Sequence, residues 1–243
     1  MKVVLTKGVL LIAFFFFITA CNGNGGKGAH KNAYSTELPT SVESALNSEK
    51  YMLNKNLANT ISYMGNEERL AYDVYNRLYS RWGIKQFINI ATKSEYKHIT
   101  AVQRLVQKYK ISDDVNFTNI DMTPSGYMNT PIEEMKPGTY DISKIQNLYN
   151  DLVSKGLNSE IDALEVGCMV EVTDINDLNR YLEIAKASNA VDVEEVFTFL
   201  RQGSYNHYRA FDRGLKNRGV SDGCCSLGSL NGVNYCHPEY PQR

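Results

Sequence analysis

Four carboxylates and two imidazoles interrupt apolar helical stripes that carry no other charge. These residues are Glu68, Glu95, His98, Glu171, Asp174 and His207. A polar side chain on a buried stripe destabilises the fold unless it is paired or binds an ion. Carboxylates combined with one imidazole per ion suit iron or manganese, whereas zinc favours a tetrahedral set with fewer carboxylates. The residue types therefore predict a site for a pair of iron ions, with manganese as the alternative.

The spacing of these residues places them at one level of two helical hairpins. Glu68 lies 15 residues before Gly83, where the first hairpin turns, and His98 lies 15 residues after it. In the second hairpin, Glu171 and His207 are each 18 residues from the turn. Because an α-helix rises about 1.5 Å per residue, the partners in each antiparallel pair reach similar heights.

Two further carboxylates lie one helical turn from these partners. Glu95 precedes His98 by three residues, and Asp174 follows Glu171 by three residues. A spacing of three places both side chains of each pair on one helix face. A shared polar cluster is therefore expected rather than isolated polar groups.

The first ligand position has two candidates, the adjacent residues Glu67 and Glu68. We prefer Glu68 because it continues the apolar stripe that runs through Met64 and Tyr75. Glu67 remains the competing assignment.

Four long helical segments are predicted to hold the cluster. Apolar residues recur every three or four positions over 41–82, 85–109, 159–187 and 192–216. Asp192 and Glu195 resemble a capping box that opens the fourth segment. The connection over 110–158 contains one short amphipathic segment, 142–155, and is too long for a hairpin loop. These elements predict an all-α, ferritin-like four-helix bundle with a long crossover between its second and third helices.

Four sequence blocks around the cluster resemble a bacterial and archaeal ferritin-like family labelled only as a domain of unknown function. The blocks are GNEERLA at 65–71, SEYKH at 94–98, VEVTDI at 170–175 and GSYNHYRAF at 203–211. More distantly, the chain is similar to the rubrerythrin and ferritin superfamily. That resemblance implies a carboxylate-bridged di-metal centre that reacts with oxygen or peroxide, carried here by Glu68, Glu95, His98, Glu171 and His207.

One position departs from the superfamily pattern. The fourth helix normally carries a Glu three residues before its His, whereas this chain carries Ser204 before His207. Either Asp174 replaces the missing carboxylate from the adjacent helix, or one metal position is weak. In the second case a mononuclear or non-redox site is expected.

The cysteines are expected to serve structure rather than chemistry. Cys168, one turn before Glu171, is interpreted as a small buried core residue, with metal ligation as the alternative. In an oxidising compartment, one disulfide is expected between Cys236 and either Cys224 or Cys225. Without a C-x-x-C pair, a zinc or iron–sulfur site is poorly supported.

The N-terminal residues predict export. Lys2 and Lys7 precede an apolar run that is too short for a comfortable transmembrane helix. The sequence Ile18-Thr19-Ala20-Cys21 resembles a bacterial lipobox, so Cys21 is the expected lipidation site, an ordinary cleaved signal being the alternative. The predicted order is a signal peptide over 1–20, a flexible tether over 21–40, the bundle over 41–217 and a Cys-containing tail over 218–243. A lipid-anchored location in the bacterial cell envelope follows.

The composition limits the partners. The chain has 26 Lys and Arg against 27 Asp and Glu among 243 residues, which gives no basis for a nucleic-acid partner or an anionic membrane surface. Membrane contact is expected only through the lipid, and the expected partners are metal ions, oxygen or peroxide and an external electron donor. The sequence therefore predicts a ferroxidase or an oxygen- or peroxide-reducing oxidoreductase. The alternative is a non-catalytic surface lipoprotein that uses the bundle as a metal-binding or partner-binding scaffold.

Overall fold

The computed structural model describes residues 37–111, 136–140 and 142–241. The helices are α1 (Thr40–Asn47), α2 (Lys55–Trp82), α3 (Lys85–Ile90), α4 (Tyr96–Tyr109), α5 (Ser143–Gly156), α6 (Glu160–Ala187) and α7 (Val191–Lys216). A π-helical turn, Ala91–Glu95, joins α3 to α4. After α7 come a 3-10 turn, Gly223–Leu227, and an antiparallel pair of two-residue strands, β1 (Ser229–Leu230) and β2 (Val233–Asn234). The predicted all-α class is confirmed.

The predicted signal peptide and lipidation site, with Cys21, lie outside the described residues. Of the predicted tether over 21–40, only residues 37–40 are described, and Leu38 is buried in the core. Among the described helices, none is long and apolar enough to cross a membrane.

The first predicted helical segment, 41–82, consists of two helices. The chain leaves α1 after Asn47, and the Asn54 side chain accepts a hydrogen bond from the Leu57 backbone N–H at 2.8 Å. This contact caps the N-terminus of α2, and Asn54 is the sequence signal that marks the break. At its other end α2 stops before Gly83, whose φ of 67° lies in the left-handed region, as predicted.

The predicted capping box of the fourth segment is wrong. The last helix, α7, begins at Val191 without a side-chain cap. Asp192 instead binds Lys108 Nζ and accepts a hydrogen bond from the Tyr109 hydroxyl, both at 2.6 Å. A buried carboxylate gains more from a cation than from capping, so Asp192 ties the start of α7 to the end of α4.

Two apolar clusters fill the interior on either side of the predicted polar positions. Along α2, Ile61 and Met64 belong to the first cluster and Val74 and Leu78 to the second, with Glu68 between them. The helices α6 and α7 also pass through both clusters. Tightly packed side chains above and below therefore hold the polar layer in place.

A buried ion pair fixes residues 136–140 to α2. Arg69 Nη2 lies 3.0 Å from Asp73 Oδ2 and donates to the Lys136 carbonyl at 2.6 Å. The same Asp73 oxygen accepts hydrogen bonds from the Tyr140 hydroxyl and the Gly138 N–H. Three donors thus meet Asp73 Oδ2, and a buried charge is tolerated when it is paired and hydrogen-bonded. Residues 136–140 are thereby held against the helix that carries Glu68.

Two disulfides join the tail to itself and to α6. Cys225 pairs with Cys236, which resolves the predicted connectivity. Cys168 is fully buried in the core, as predicted, and it also pairs with Cys224, a bond that was not predicted. The two residues are 56 positions apart, and no local pattern in the sequence indicates that the tail folds back onto α6.

Removing the two disulfides should destabilise the protein unequally. Replacement of Cys168 and Cys224 by Ala is expected to lower the free energy of unfolding by about 4 kcal/mol, because the longer closed loop restricts the unfolded chain more. Replacement of Cys225 and Cys236, which close 11 residues, should cost about 3 kcal/mol. Urea unfolding of the two double variants measures the difference, and a larger loss for the shorter loop would contradict this reasoning.

Candidate metal centre

The six predicted site residues lie in one buried layer, which we call the cluster. They are Glu68 of α2, Glu95 of the π-helical turn, His98 of α4, Glu171 and Asp174 of α6, and His207 of α7. Each is at most 8% exposed. Glu95 is the last residue of the π-helical turn, a feature that occurs frequently at functional sites and that sequence periodicity does not reveal.

One half of the cluster is a triad formed by Glu68, Glu95 and His98. His98 Nδ1 lies 2.9 Å from Glu68 Oε2 and 2.9 Å from Glu95 Oε2. The three donor atoms lie within 4.8 Å of one another, close enough to ligate one ion.

The other half is a second triad, and it shares Glu95 with the first. His207 Nδ1 lies 3.0 Å from Glu95 Oε1 and 3.4 Å from Glu171 Oε2. One oxygen of Glu95 thus faces each histidine. The two imidazole rings stack with centroids 5.6 Å apart. Two adjacent groups joined by one carboxylate are the arrangement that a pair of bridged ions needs.

Several atoms of the cluster have no hydrogen-bond partner although they are buried. Glu68 Oε1 and Asp174 Oδ1 have none, while Glu95 Oε1 and His207 Nδ1 lie 3.0 Å from each other as an ion pair without forming a hydrogen bond. A buried polar atom without a partner is unusual in native proteins and destabilises the fold. A cation bound in each triad would satisfy atoms of this kind, so the residues present fit a metal pair.

Asp174 lies outside both triads and is paired with Ser204. The Ser204 hydroxyl donates a hydrogen bond to Asp174 Oδ2, which leaves Oδ1 without a partner. Burial, followed by the nearby charges of Glu68 and Glu171, raises the pKa of Asp174 well above its usual range. The serine that departs from the superfamily pattern therefore contacts the carboxylate expected to compensate for it, and direct ligation by Asp174 stays a prediction.

Tyr75 supports the second triad from the apolar side. Its hydroxyl donates to Glu171 Oε1, and its ring packs against Phe87 and Phe211, which also contact each other. This contact fixes one oxygen of Glu171 and leaves the other directed toward His207. A supporting contact of this kind orients a metal ligand.

The electrostatics of the cluster keep both imidazoles protonated until a metal ion binds. Burial alone would lower the pKa of His98, but Glu68 and Glu95 raise it well above its usual range. Burial also opposes ionisation of His207, yet Glu95 and Glu171 raise its pKa to about 10. Burial would raise the pKa of Glu95, but the two imidazolium groups hold it below its usual range. Without a metal ion, the protons on the two imidazoles thus supply the positive charge that balances the carboxylates.

Metal binding should release protons. Because pH 7 is below the raised pKa values of both imidazoles, the two rings are protonated at this pH. An imidazole that ligates a metal ion must be neutral. Burial also raises the pKa of Glu68 to about 7, so this ligand is partly protonated as well. Loading both triads with a divalent cation is therefore expected to release at least about two protons per chain. The apparent affinity of each triad should fall about tenfold for each unit that the pH is lowered. Calorimetric titration in buffers of different ionisation enthalpy measures the release, and binding with no proton release would contradict these pKa values.

A cavity of about 630 Å³ connects the cluster to the surface. Its walls include both histidines of the cluster, the aromatic ring beside them and three polar side chains, namely His98, His207, Phe199, Lys93, Lys97 and Asn206. The edge of the Phe199 ring packs against His98 with centroids 5.2 Å apart. A small molecule can therefore reach the imidazoles without opening the helices.

Gly203 allows α7 to pass close to the His98 ring of α4. A Cβ atom at Gly203 would overlap His98 Nε2 and lie 2.5 Å from His98 Cε1. Sequence reasoning did not single out Gly203, since its role depends on a neighbour 105 positions away. The glycine precedes Ser204 and marks where α7 passes closest to the first triad.

The fold and the site together define the class of this protein. It is an all-α protein whose candidate metal centre consists of two adjacent carboxylate–imidazole triads. The chain belongs to the family described as "uncharacterized protein domain (DUF2202)", which matches residues 58–229. It is 40% identical over 156 residues to the uncharacterized protein MJ0754 of Methanocaldococcus jannaschii, spanning 64% of this chain and 73% of that protein. The structure is similar to a crystal structure of hypothetical protein MJ0754 from Methanococcus jannaschii, with a TM-score of 0.59, 35% identity and coverage of 71% of this chain and 86% of that one.

Proposed function

We propose that the protein is a ferritin-like four-helix bundle whose cluster holds a pair of iron ions, with manganese as the alternative. It would oxidise ferrous iron or reduce oxygen or peroxide with electrons from an external donor. The observation that carries the proposal is the sharing of Glu95 by the two triads. The helices α2, α3–α4, α6 and α7 correspond to the four helices of such a bundle, with residues 110–158 as the crossover.

Each residue of the cluster has a defined part in this proposal. Glu68 and His98 would hold the first ion and Glu171 and His207 the second, with Glu95 between them. Bound iron supplies the one-electron chemistry that amino-acid side chains lack. The protein supplies orientation, through the Tyr75 hydroxyl on Glu171, and apolar packing that excludes bulk water.

The cavity beside His98 and His207 supports a small diffusible substrate. Lys93 and Lys97 line it and add positive charge near its walls. Oxygen and peroxide are small enough to enter a cavity of about 630 Å³. Access by a large partner to the imidazoles is blocked by the surrounding helices.

The proposal includes export and lipid anchoring through Cys21. The two disulfides support a location outside the cytoplasm, because disulfides persist mainly in oxidising compartments. Replacement of Cys21 by Ser should move the protein from the membrane fraction to the soluble fraction of the envelope. An unchanged distribution would contradict lipidation at this residue.

Iron loading under anaerobic conditions tests the activity. The wild-type chain is expected to bind about two ferrous ions and to show a near-ultraviolet absorption band after exposure to oxygen. The Glu95→Ala/His98→Ala variant should show neither, while Glu183→Gln, an exposed change, should behave as wild type. Oxidation no faster than in buffer would contradict the activity and would leave the scaffold role as the better description.

A further inference from the structure

A second group of buried polar side chains lies beside the cluster, between α2 and α6. It consists of Glu67 and Tyr63 on α2 and Asp177 on α6. Both carboxylate oxygens of Glu67, one carboxylate oxygen of Asp177 and the Tyr63 hydroxyl are buried without a hydrogen-bond partner. Glu67 is only 5% exposed. None of the three residues belongs to either triad.

The two carboxylates of this group lie at one level of α2 and α6. Glu67 follows Tyr63 by four residues and Asp177 precedes Tyr181 by four, so the contact between the two tyrosines brings the carboxylates level on these antiparallel helices. The Tyr63 ring packs edge-on against Tyr181 with centroids 6.3 Å apart, which closes the group on the side of α6. Two close carboxylates in a buried position require either a shared proton or a cation.

The basic residues near this group do not satisfy Glu67. Arg180 Nη2 lies 2.7 Å from Asp177 Oδ1, which leaves Asp177 Oδ2 free. Lys144 lies over the Tyr63 ring, 5.2 Å from its centroid. Neither cation forms a hydrogen bond with Glu67 or with Asp177 Oδ2.

The donor atoms define the class of cation that fits. All are oxygens, from two carboxylates and one phenol, and none is an imidazole nitrogen or a thiolate. Oxygen donors suit hard divalent cations such as Mn²⁺, Mg²⁺ or Ca²⁺, whereas the imidazoles of the cluster favour transition metals. The group is therefore chemically different from the triads beside it.

We propose that Glu67, Asp177 and Tyr63 form a third cation site, which binds a hard divalent cation next to the cluster. This third site does not depend on iron or on redox chemistry at the cluster.

Counting bound Mn²⁺ by electron paramagnetic resonance tests the third site. Free Mn²⁺ gives a strong signal that is lost on binding, so the bound number per chain is measured directly. We expect about three for wild type and about two for the Glu67→Gln/Asp177→Asn variant, because the amides keep the side-chain shape but remove both charges. The matched control, Glu183→Gln/Asp151→Asn, changes two exposed carboxylates and should bind as wild type.

The remaining outcomes separate this site from the proposed di-metal centre. Equal Mn²⁺ counts in wild type and in the Glu67→Gln/Asp177→Asn variant would overturn the third site, whatever the cluster binds. A wild-type count of about one that disappears in that variant would support the third site while contradicting the di-metal centre. Should the double variant not fold, Glu67→Gln and Asp177→Asn are measured singly. Each should then weaken binding at the third site at least about tenfold, and unchanged binding in both would overturn it.

Discussion

Replacing Glu95 by Gln should remove both metal ions, whereas replacing Glu68 by Gln should remove one. Glu95 directs one oxygen to His98 and the other to His207, so a single neutral amide weakens both triads. Of the two histidines, Glu68 contacts only His98. We expect the iron bound after anaerobic loading to fall from about two ions per chain to nearly none for Glu95→Gln and to about one for Glu68→Gln.

The comparison between these two variants is the informative part of the experiment. Both replace one carboxylate by an amide of the same shape in the same buried layer, so a general effect of the substitution on packing is matched. Circular dichroism establishes that each variant is folded before its metal content is measured. Equal losses in the two variants would mean that Glu95 is an ordinary ligand and does not join the triads.

Replacing Gly203 by Ala should disable the first triad without removing any ligand. The added methyl group would overlap the His98 ring, so the ring or α7 must shift. We expect about 10- to 100-fold weaker metal binding in the first triad, as for loss of a contact that orients a ligand. The second triad should bind more nearly as in wild type. Overpacking should also lower the free energy of unfolding by about 1–3 kcal/mol.

Gly214→Ala provides the matched control in the same helix. A Cβ atom there would lie 3.1 Å from Leu164 Cδ2, a flexible side-chain end remote from the cluster. Metal titration followed by calorimetry separates the two triads by affinity. If Gly203→Ala bound both ions as tightly as Gly214→Ala, the close approach would not matter for the site.

The heights of the candidate ligand residues along their helices could be predicted from the sequence, because the rise per residue of an α-helix is fixed. Glu68 and His98, and likewise Glu171 and His207, are equidistant from their turns, and the structure places each pair in one buried layer. Periodicity also indicated the short helix α5, which runs over Ser143–Gly156. These features depend only on regular geometry within one or two adjacent elements.

Features that depend on contacts between distant segments could not be predicted. The sharing of Glu95 requires the π-helical turn and the rotamer that it imposes, neither of which periodicity shows. The Cys168–Cys224 bond requires the tail to fold back onto α6. Asp192 was assigned to a cap because its sequence neighbours suit one, whereas the structure gives it Lys108 as a partner. Tertiary contacts override local preference in each case.

Glu67 shows a different limit of sequence reasoning. The sequence presented Glu67 and Glu68 as competitors for one ligand position, and the structure gives them different surroundings. Glu68 belongs to a triad, whereas Glu67 belongs to neither triad and has no hydrogen-bond partner for its carboxylate oxygens. Adjacent helical residues point about 100° apart, so two adjacent carboxylates lie in different surroundings.

The central claim is that two metal ions lie on either side of Glu95. Crystals grown with ferrous iron under anaerobic conditions and measured at the iron absorption edge test it most directly. The expected result is one anomalous peak in the triad of Glu68, Glu95 and His98 and a second in the triad of Glu95, Glu171 and His207. A single peak, or none within the cluster, would contradict the claim.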